Sequence, residues 1–267
     1  MPTHDLFFSY RRADLPRAAL LHDALKRTGL TIWFDQTHIP DHAPITSEIR
    51  KAIAASKALL AFYSRSYPDS RPCQMELLTA WLAAQHLDKD ASRRVLILNP
   101  EFPDFNHIPP ALRDIQSPPF PSDPAGFDEL ARRIHDHIGQ IEGSLLSVSA
   151  DPPRYFGMSP VSARHFVGRE AQLWDLHGKL TDIEIISGQP GPRVAQIVGM
   201  PGNGKSLLAQ EYAIRFGPAF PGGIFWINAG ADREDQIREF ARQLRIPGID
   251  KLEPAFHFRT RRLTCTA

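Results

Sequence analysis

The octapeptide Gly199-Met200-Pro201-Gly202-Asn203-Gly204-Lys205-Ser206 has the spacing G-x-x-x-x-G-K-[ST], which suits one task, cradling a phosphate. Glycines let backbone N–H groups turn inward around an anion, and a helix N-terminus adds partial positive charge. Lys205 would reach the outer phosphates, and the Ser206 hydroxyl would ligate Mg2+. The chemistry requires a strand before the loop and a helix after it. Arg193-Val194-Ala195-Gln196-Ile197-Val198 supplies the β-branched residues of a buried parallel strand, and Leu207 to Phe216 is apolar at helical spacing. Gly199, Pro201, Gly202, Asn203, Gly204, Lys205, Ser206 and Leu207 are therefore the expected nucleotide contacts.

A chain of 267 residues has room for two domains. Its formal charge of +1 is evenly spread: residues 1–140 hold 16 basic and 17 acidic side chains, and the remainder 15 and 13. Neither half has the basic field of a nucleic-acid binder. No charged-then-apolar leader is evident, and no apolar run approaches the ~18 residues of a membrane span. The apolar stretch Ala52 to Tyr63 is broken by Ser56 and Lys57. Two cysteines, Cys73 and Cys265, make no disulfide framework. A soluble cytoplasmic protein is expected, without nucleic-acid or membrane partners. His135 and His137 fall on different helix faces, and His38 and His42 lack companion ligands, so no metal site is expected beyond nucleotide-bound Mg2+.

Strand and helix signals alternate from residue 5 to 140. Strands are expected at 5–9, 30–34, 58–63 and 94–99, with a short fifth near Ile115. Helices are expected at 14–28, closed by Gly29, and at 45–56, 73–86 and about 123–141. That order predicts an α/β fold, a parallel sheet with helices on both faces and ligands at the carboxyl ends of its strands.

The run Asp5-Leu6-Phe7-Phe8-Ser9-Tyr10-Arg11-Arg12-Ala13-Asp14 resembles the opening signature of TIR domains. Gly29-Leu30 to Asp35, Glu48-Ile49 with Ala52-Ile53 and Ser56, Ser64-Arg65-Ser66-Tyr67 and Cys73-Gln74-Met75-Glu76-Leu77 continue the resemblance in order, over about residues 4–140. It implies a flavodoxin-like sheet in a TIR domain of residues 1–141. It also implies cleavage of NAD+, since many TIR domains hydrolyse it with the glutamate of the Cys-x-x-Glu-Leu element, here Glu76. Tyr10, Arg11 and Arg12 would then lie near the bound dinucleotide. The chain departs from the family at Pro72, where tryptophan is frequent, and at Ile39-Pro40-Asp41-His42, where a glycine is usual.

Residues 142–165 have the Ser, Pro and Gly content of a linker. Beyond it, Phe166-Val167-Gly168-Arg169-Glu170, the phosphate loop and Phe220 to Ala229 resemble the start of an NB-ARC or STAND-type P-loop NTPase α/β domain. The resemblance implies ATP or ADP with Mg2+, adenine contacts at Val167 and Arg169, and a role as an oligomerisation switch. Two strands are expected, at 193–198 and 224–228, with no acidic strand end after Trp226 to complete a hydrolytic site. Residues 166–267 therefore read as a domain truncated before its Walker B strand, loosely packed and with negligible ATPase activity. Three functions compete: an NAD+ hydrolase that the resemblance places in immune or antiphage signalling, gated by nucleotide-dependent self-association; a non-catalytic adaptor acting through TIR–TIR contacts; and a plain NTPase, disfavoured because the hydrolytic acid is missing.

Overall fold

The computed structural model describes residues 4–34, 45–87, 91–113, 118–146, 153–157, 166, 168–181, 194–246 and 262–265. The chain divides into two compact units, residues 1–150 and 151–267.

In the first unit, β1 (His4–Ser9), β2 (Ile32–Phe34), β3 (Ser56–Phe62) and β4 (Val95–Leu98) form a parallel sheet in the order β2-β1-β3-β4. These are the runs rich in Phe, Ile, Leu and Val, which suit strands buried on both faces. The order places β1 beside β3, so the chain reverses its direction of winding between them. Helices α1 (Leu15–Arg27), α2 (Ile45–Ala55), α3 (Arg71–Leu87), α4 (Pro110–Arg113) and α5 (Pro124–Gly139) complete the unit. Gly29, at φ +90°, takes the left-handed turn after α1 that a side chain would resist. Asp123 caps α5 by accepting a hydrogen bond from the Gly126 amide.

Strand alternation sorts the core into two layers. Leu6, Phe8 and Tyr10 join Leu60 and Phe62 against Ala18, Leu21 and Leu25 of α1 and Phe127, Ala131, Ile134 and Ile138 of α5. Phe7, on the other face, stacks on Trp33 with ring centres 4.5 Å apart. Ser9 shares the Phe7 face, the side on which α2 and α3 pack.

The four strands and helices α1, α2, α3 and α5 fall where expected to within a few residues, whereas α4 answers to no expected helix. The expected strand near Ile115 and the departure at Ile39 to His42 lie outside the described residues. Where composition reads as linker, Leu145 is buried and its amide donates to the Ser56 carbonyl at 2.7 Å.

The second unit holds β5 (Tyr155–Phe156), α6 (Glu170–Thr181), β6 (Val194–Ile197), α7 (Lys205–Arg215), β7 (Ile224–Phe225), α8 (Arg233–Gln243) and β8 (Arg262–Cys265). Its strands form two separate parallel pairs, β5 with β7 and β6 with β8. The expected strand at 224–228 thus joins Tyr155–Phe156, from the expected linker, and does not extend the β6 sheet. Aromatic packing accounts for it: Phe156 and Phe225 stack at 4.5 Å with planes 5° apart, and Phe240 of α8 packs against both. The backbone at 262–265 pairs with β6, where no strand was expected.

Candidate functional site

The carboxyl ends of β1 and β3 meet the start of α3 at the point where the winding reverses, the usual place for a ligand in such sheets. Helix α3 buries Cys73, Leu77, Ala80 and Ala84, a stripe at spacings of three and four that faces the sheet. Glu76 lies beside this stripe and is half-buried. Its Oε2 accepts a hydrogen bond of 2.6 Å from the hydroxyl of Ser9, the last residue of β1. Ser9 is 1% exposed, and its oxygen lies 2.7 Å from the hydroxyl of the fully buried Tyr67. Each hydroxyl has one proton. Ser9 gives its proton to the carboxylate, so Tyr67 is the donor to Ser9, with the Cys73 carbonyl at 3.1 Å as a second acceptor. Two buried donors in series thus point at one carboxylate oxygen.

Burial pushes the Cys73 thiol up to about 12, and the Glu76 charge adds to the effect. Burial also raises the Tyr67 phenol well above its ordinary value, reinforced by Cys73 and Glu76. Neither group is a nucleophile at neutral pH. Both are neutral when protonated, so above pH ~9 the native state keeps protons that the unfolded chain begins to release. Their contribution to stability is whole below that point and is lost as pH rises toward the folded values, at about 1.4 kcal/mol per unit and group. Urea unfolding at pH 8 and pH 11 should show this loss, and Cys73→Ala should remove the thiol's share of the slope.

The flanking loops are clasped to one another. Asp14 accepts hydrogen bonds from the hydroxyls of Ser64, at 2.5 Å, and Ser66, at 3.1 Å. Arg11 donates to the Ser66 carbonyl at 2.7 Å and lies 3.7 Å from the Asp69 carboxylate. Part of its guanidinium therefore serves the clasp. Arg12 is exposed at the start of a short 3-10 turn. The Tyr10 ring stacks on Phe34 at 4.6 Å and is 9% exposed, so it belongs chiefly to the core. Pro72, the position of the frequent tryptophan, is exposed. The site thus places Glu76, on α3, and Arg11, in the loop after β1, at the carboxyl end of the sheet. Ser9 and Tyr67, the carboxylate's partners, were not singled out from sequence, although a small polar residue closing an apolar strand at a parallel sheet's carboxyl end is a usable signal.

In the second unit, β6, the glycine loop and α7 follow in the expected order. Gly202 and Gly204 have φ of +82° and +67°, values that favour glycine and let successive amides face inward. Lys205 is buried at 9% exposure, and its Nζ donates to the carbonyls of Gly199 and Met200. Pro201, Asn203, Ser206 and Leu207 are exposed around the loop. The Arg169 guanidinium lies 3.9 Å from where a Cβ on Gly204 would sit, which brings Arg169 to the loop. Val167 lies outside the described residues. The donors and the open glycine backbone fit a nucleotide's phosphates. Among the described residues, none of the second unit's strands carries a carboxylate, and no group of His, Cys, Asp and Glu could hold a metal ion. No helix among the described residues is long and apolar enough to cross a membrane.

Residues 6–133 match the family model for the TIR domain. Among solved structures, a metazoan TIR-STING receptor from C. gigas is 19% identical, with a TM-score of 0.42 over 53% of this chain. The chain covers 42% of that receptor chain. The activated Roq1 resistosome directly recognizing the pathogen effector XopQ, in the structure of its TIR domains, is 16% identical with a TM-score of 0.34. That match covers 91% of this chain and 99% of the other. No curated protein matches the chain.

Proposed function

From the premise that a TIR domain spans residues 6–133, we propose that the chain is a signalling protein acting by self-association of this domain, and that Glu76 cleaves NAD+ in the associated state. The observation that carries the catalytic part is the half-buried Glu76 carboxylate, held by a buried donor at the carboxyl end of β1. Cleavage breaks the bond between the ribose C1′ and the nicotinamide nitrogen. The electron pair leaves with the nitrogen and cancels its positive charge, so nicotinamide departs neutral and needs no acid. Glycoside hydrolases ordinarily supply a second carboxyl group for that protonation. Here one anion suffices, facing the oxocarbenium charge that develops on the ribose. Water then bonds to C1′ and releases a proton, giving ADP-ribose; a ribose hydroxyl in its place gives a cyclic product. Arg12, with the part of Arg11 outside the clasp, suits the pyrophosphate, since a guanidinium fork matches phosphate oxygens.

The second unit binds ATP or ADP through Gly199, Pro201, Gly202, Asn203, Gly204, Lys205, Ser206 and Leu207, with Val167 and Arg169 toward adenine, and gates the association. Ser206 would hold Mg2+ through the nucleotide. What supports this is the left-handed glycines beside Lys205 and the approach of Arg169. Lys205→Ala should weaken ADP binding about 10- to 100-fold by calorimetry, the loss of one charged donor to phosphate. With no carboxylate on its described strands, we expect its ATP turnover to be slow.

The test follows NAD+ by chromatography in concentrated protein while light scattering reports the associated fraction. NAD+ loss that rises with association supports the hydrolase. Intact NAD+ in fully associated protein leaves the adaptor reading, which an exposed Pro72 at the position of the family's frequent tryptophan favours.

A further inference from the structure

We propose that Ser9, backed by Tyr67, is a positioning residue for Glu76, a role that rests on the hydrolase reading above. Glu76 is only half-buried, and a glutamate has rotamers that would carry its carboxylate out to water. The 2.6 Å bond from Ser9 opposes that escape. Ser9 itself is fixed by its strand, paired to β3 through Ala61, and by its 1% exposure. Tyr67, with no exposed surface, shares its proton between the Ser9 oxygen and the Cys73 carbonyl, and its donation toward Ser9 favours Ser9 giving its own proton to the carboxylate. The relay draws on three parts of the fold: the end of β1, the turn after β3 and the first turns of α3. It sets the distance between the carboxylate and the sheet's edge without contacting substrate.

The role predicts a loss in kcat with little change in KM, because substrate contacts stay while the reacting geometry loosens. Ser9→Ala should lower kcat about 10- to 100-fold and move KM less than about threefold, the scale seen when an outer hydrogen bond to a reacting group is removed. Tyr67→Phe, which keeps the ring and removes one oxygen, should lower kcat less but in the same direction. Ser9→Thr keeps the donor and should recover most of the rate. All are measured as NAD+ kinetics on the full chain at matched association, beside wild type and Glu76→Ala, with thermal unfolding as the check on folding. Should Ser9→Ala fail to fold, Tyr67→Phe decides alone: an unaltered kcat overturns the proposal. An active wild type with Ser9→Ala equally active overturns only the positioning role, as does a loss expressed wholly in KM. A wild type that leaves NAD+ intact when associated overturns the hydrolase reading and this one with it.

Discussion

Glu76→Ala is expected to slow NAD+ turnover about 10²- to 10³-fold, while the protein folds and self-associates as before. The magnitude is that of removing one preorganised group facing transition-state charge, roughly 2.7–4 kcal/mol of barrier. Glu76→Gln separates charge from shape. The amide oxygen can still accept from Ser9, so the 2.6 Å contact survives while the negative charge is gone. If charge is the agent, Gln and Ala lose similar amounts; if Glu76 only props the loop, Gln behaves as wild type. Stability should change by only about 1 kcal/mol in either variant, since a half-buried carboxylate exchanges one net hydrogen bond for water. Chromatography of NAD+ with both variants at equal associated fraction makes the measurement. Turnover in Glu76→Ala equal to wild type would remove the chemistry and leave the domain an adaptor.

The first unit was legible because its strands are continuous apolar runs and its helices amphipathic, signals local to each segment. The misplaced boundaries have local causes too. Ser56, expected at a helix end, opens β3 fully buried because its hydroxyl donates to the Ala52 carbonyl one turn back. Tyr10 was expected near a dinucleotide, yet the two-residue alternation through Leu6 and Phe8 already assigns it to the core face. The carboxylate itself emerged only from a motif. Its partner Ser9 lies 67 positions away, and Ser9 is in turn 58 positions from Tyr67, separations that no windowed pattern can report. In the second unit, a two-residue strand is too short to register against the prolines around it, and Arg262-Leu263-Thr264-Cys265 offers no apolar run. Tertiary pairing made both.

Arg215→Ala should cost the second unit about 3–5 kcal/mol, the largest stability loss expected in the chain. Arg215 is 5% exposed and sits between two carboxylates. Its Nε donates to Glu211 at 2.7 Å one turn back on α7, and its other arm to both oxygens of Glu170 on α6, at 2.6 and 2.7 Å. The guanidinium also lies over the Phe166 ring at 5.3 Å. Removing it leaves Glu211, with no exposed surface, and the nearly buried Glu170 as neighbouring anions. Water cannot reach Glu211, so the penalty is that of a buried carboxylate deprived of its arginine. Such a loss is a large fraction of a small domain's total stability. Limited proteolysis should therefore cut residues 151–267 of the variant much faster than wild type and leave the first unit intact. Arg215→Met combined with Glu211→Leu and Glu170→Gln should regain most of the loss, because it removes the stranded charges with their partner. The same arginine ties Phe166 and Glu170 to α7, and Arg169 beside Glu170 reaches the glycine loop. ADP affinity should accordingly fall in Arg215→Ala although Arg215 lies a full helix length from Lys205; unchanged affinity in a folded variant would separate the clamp from the nucleotide site.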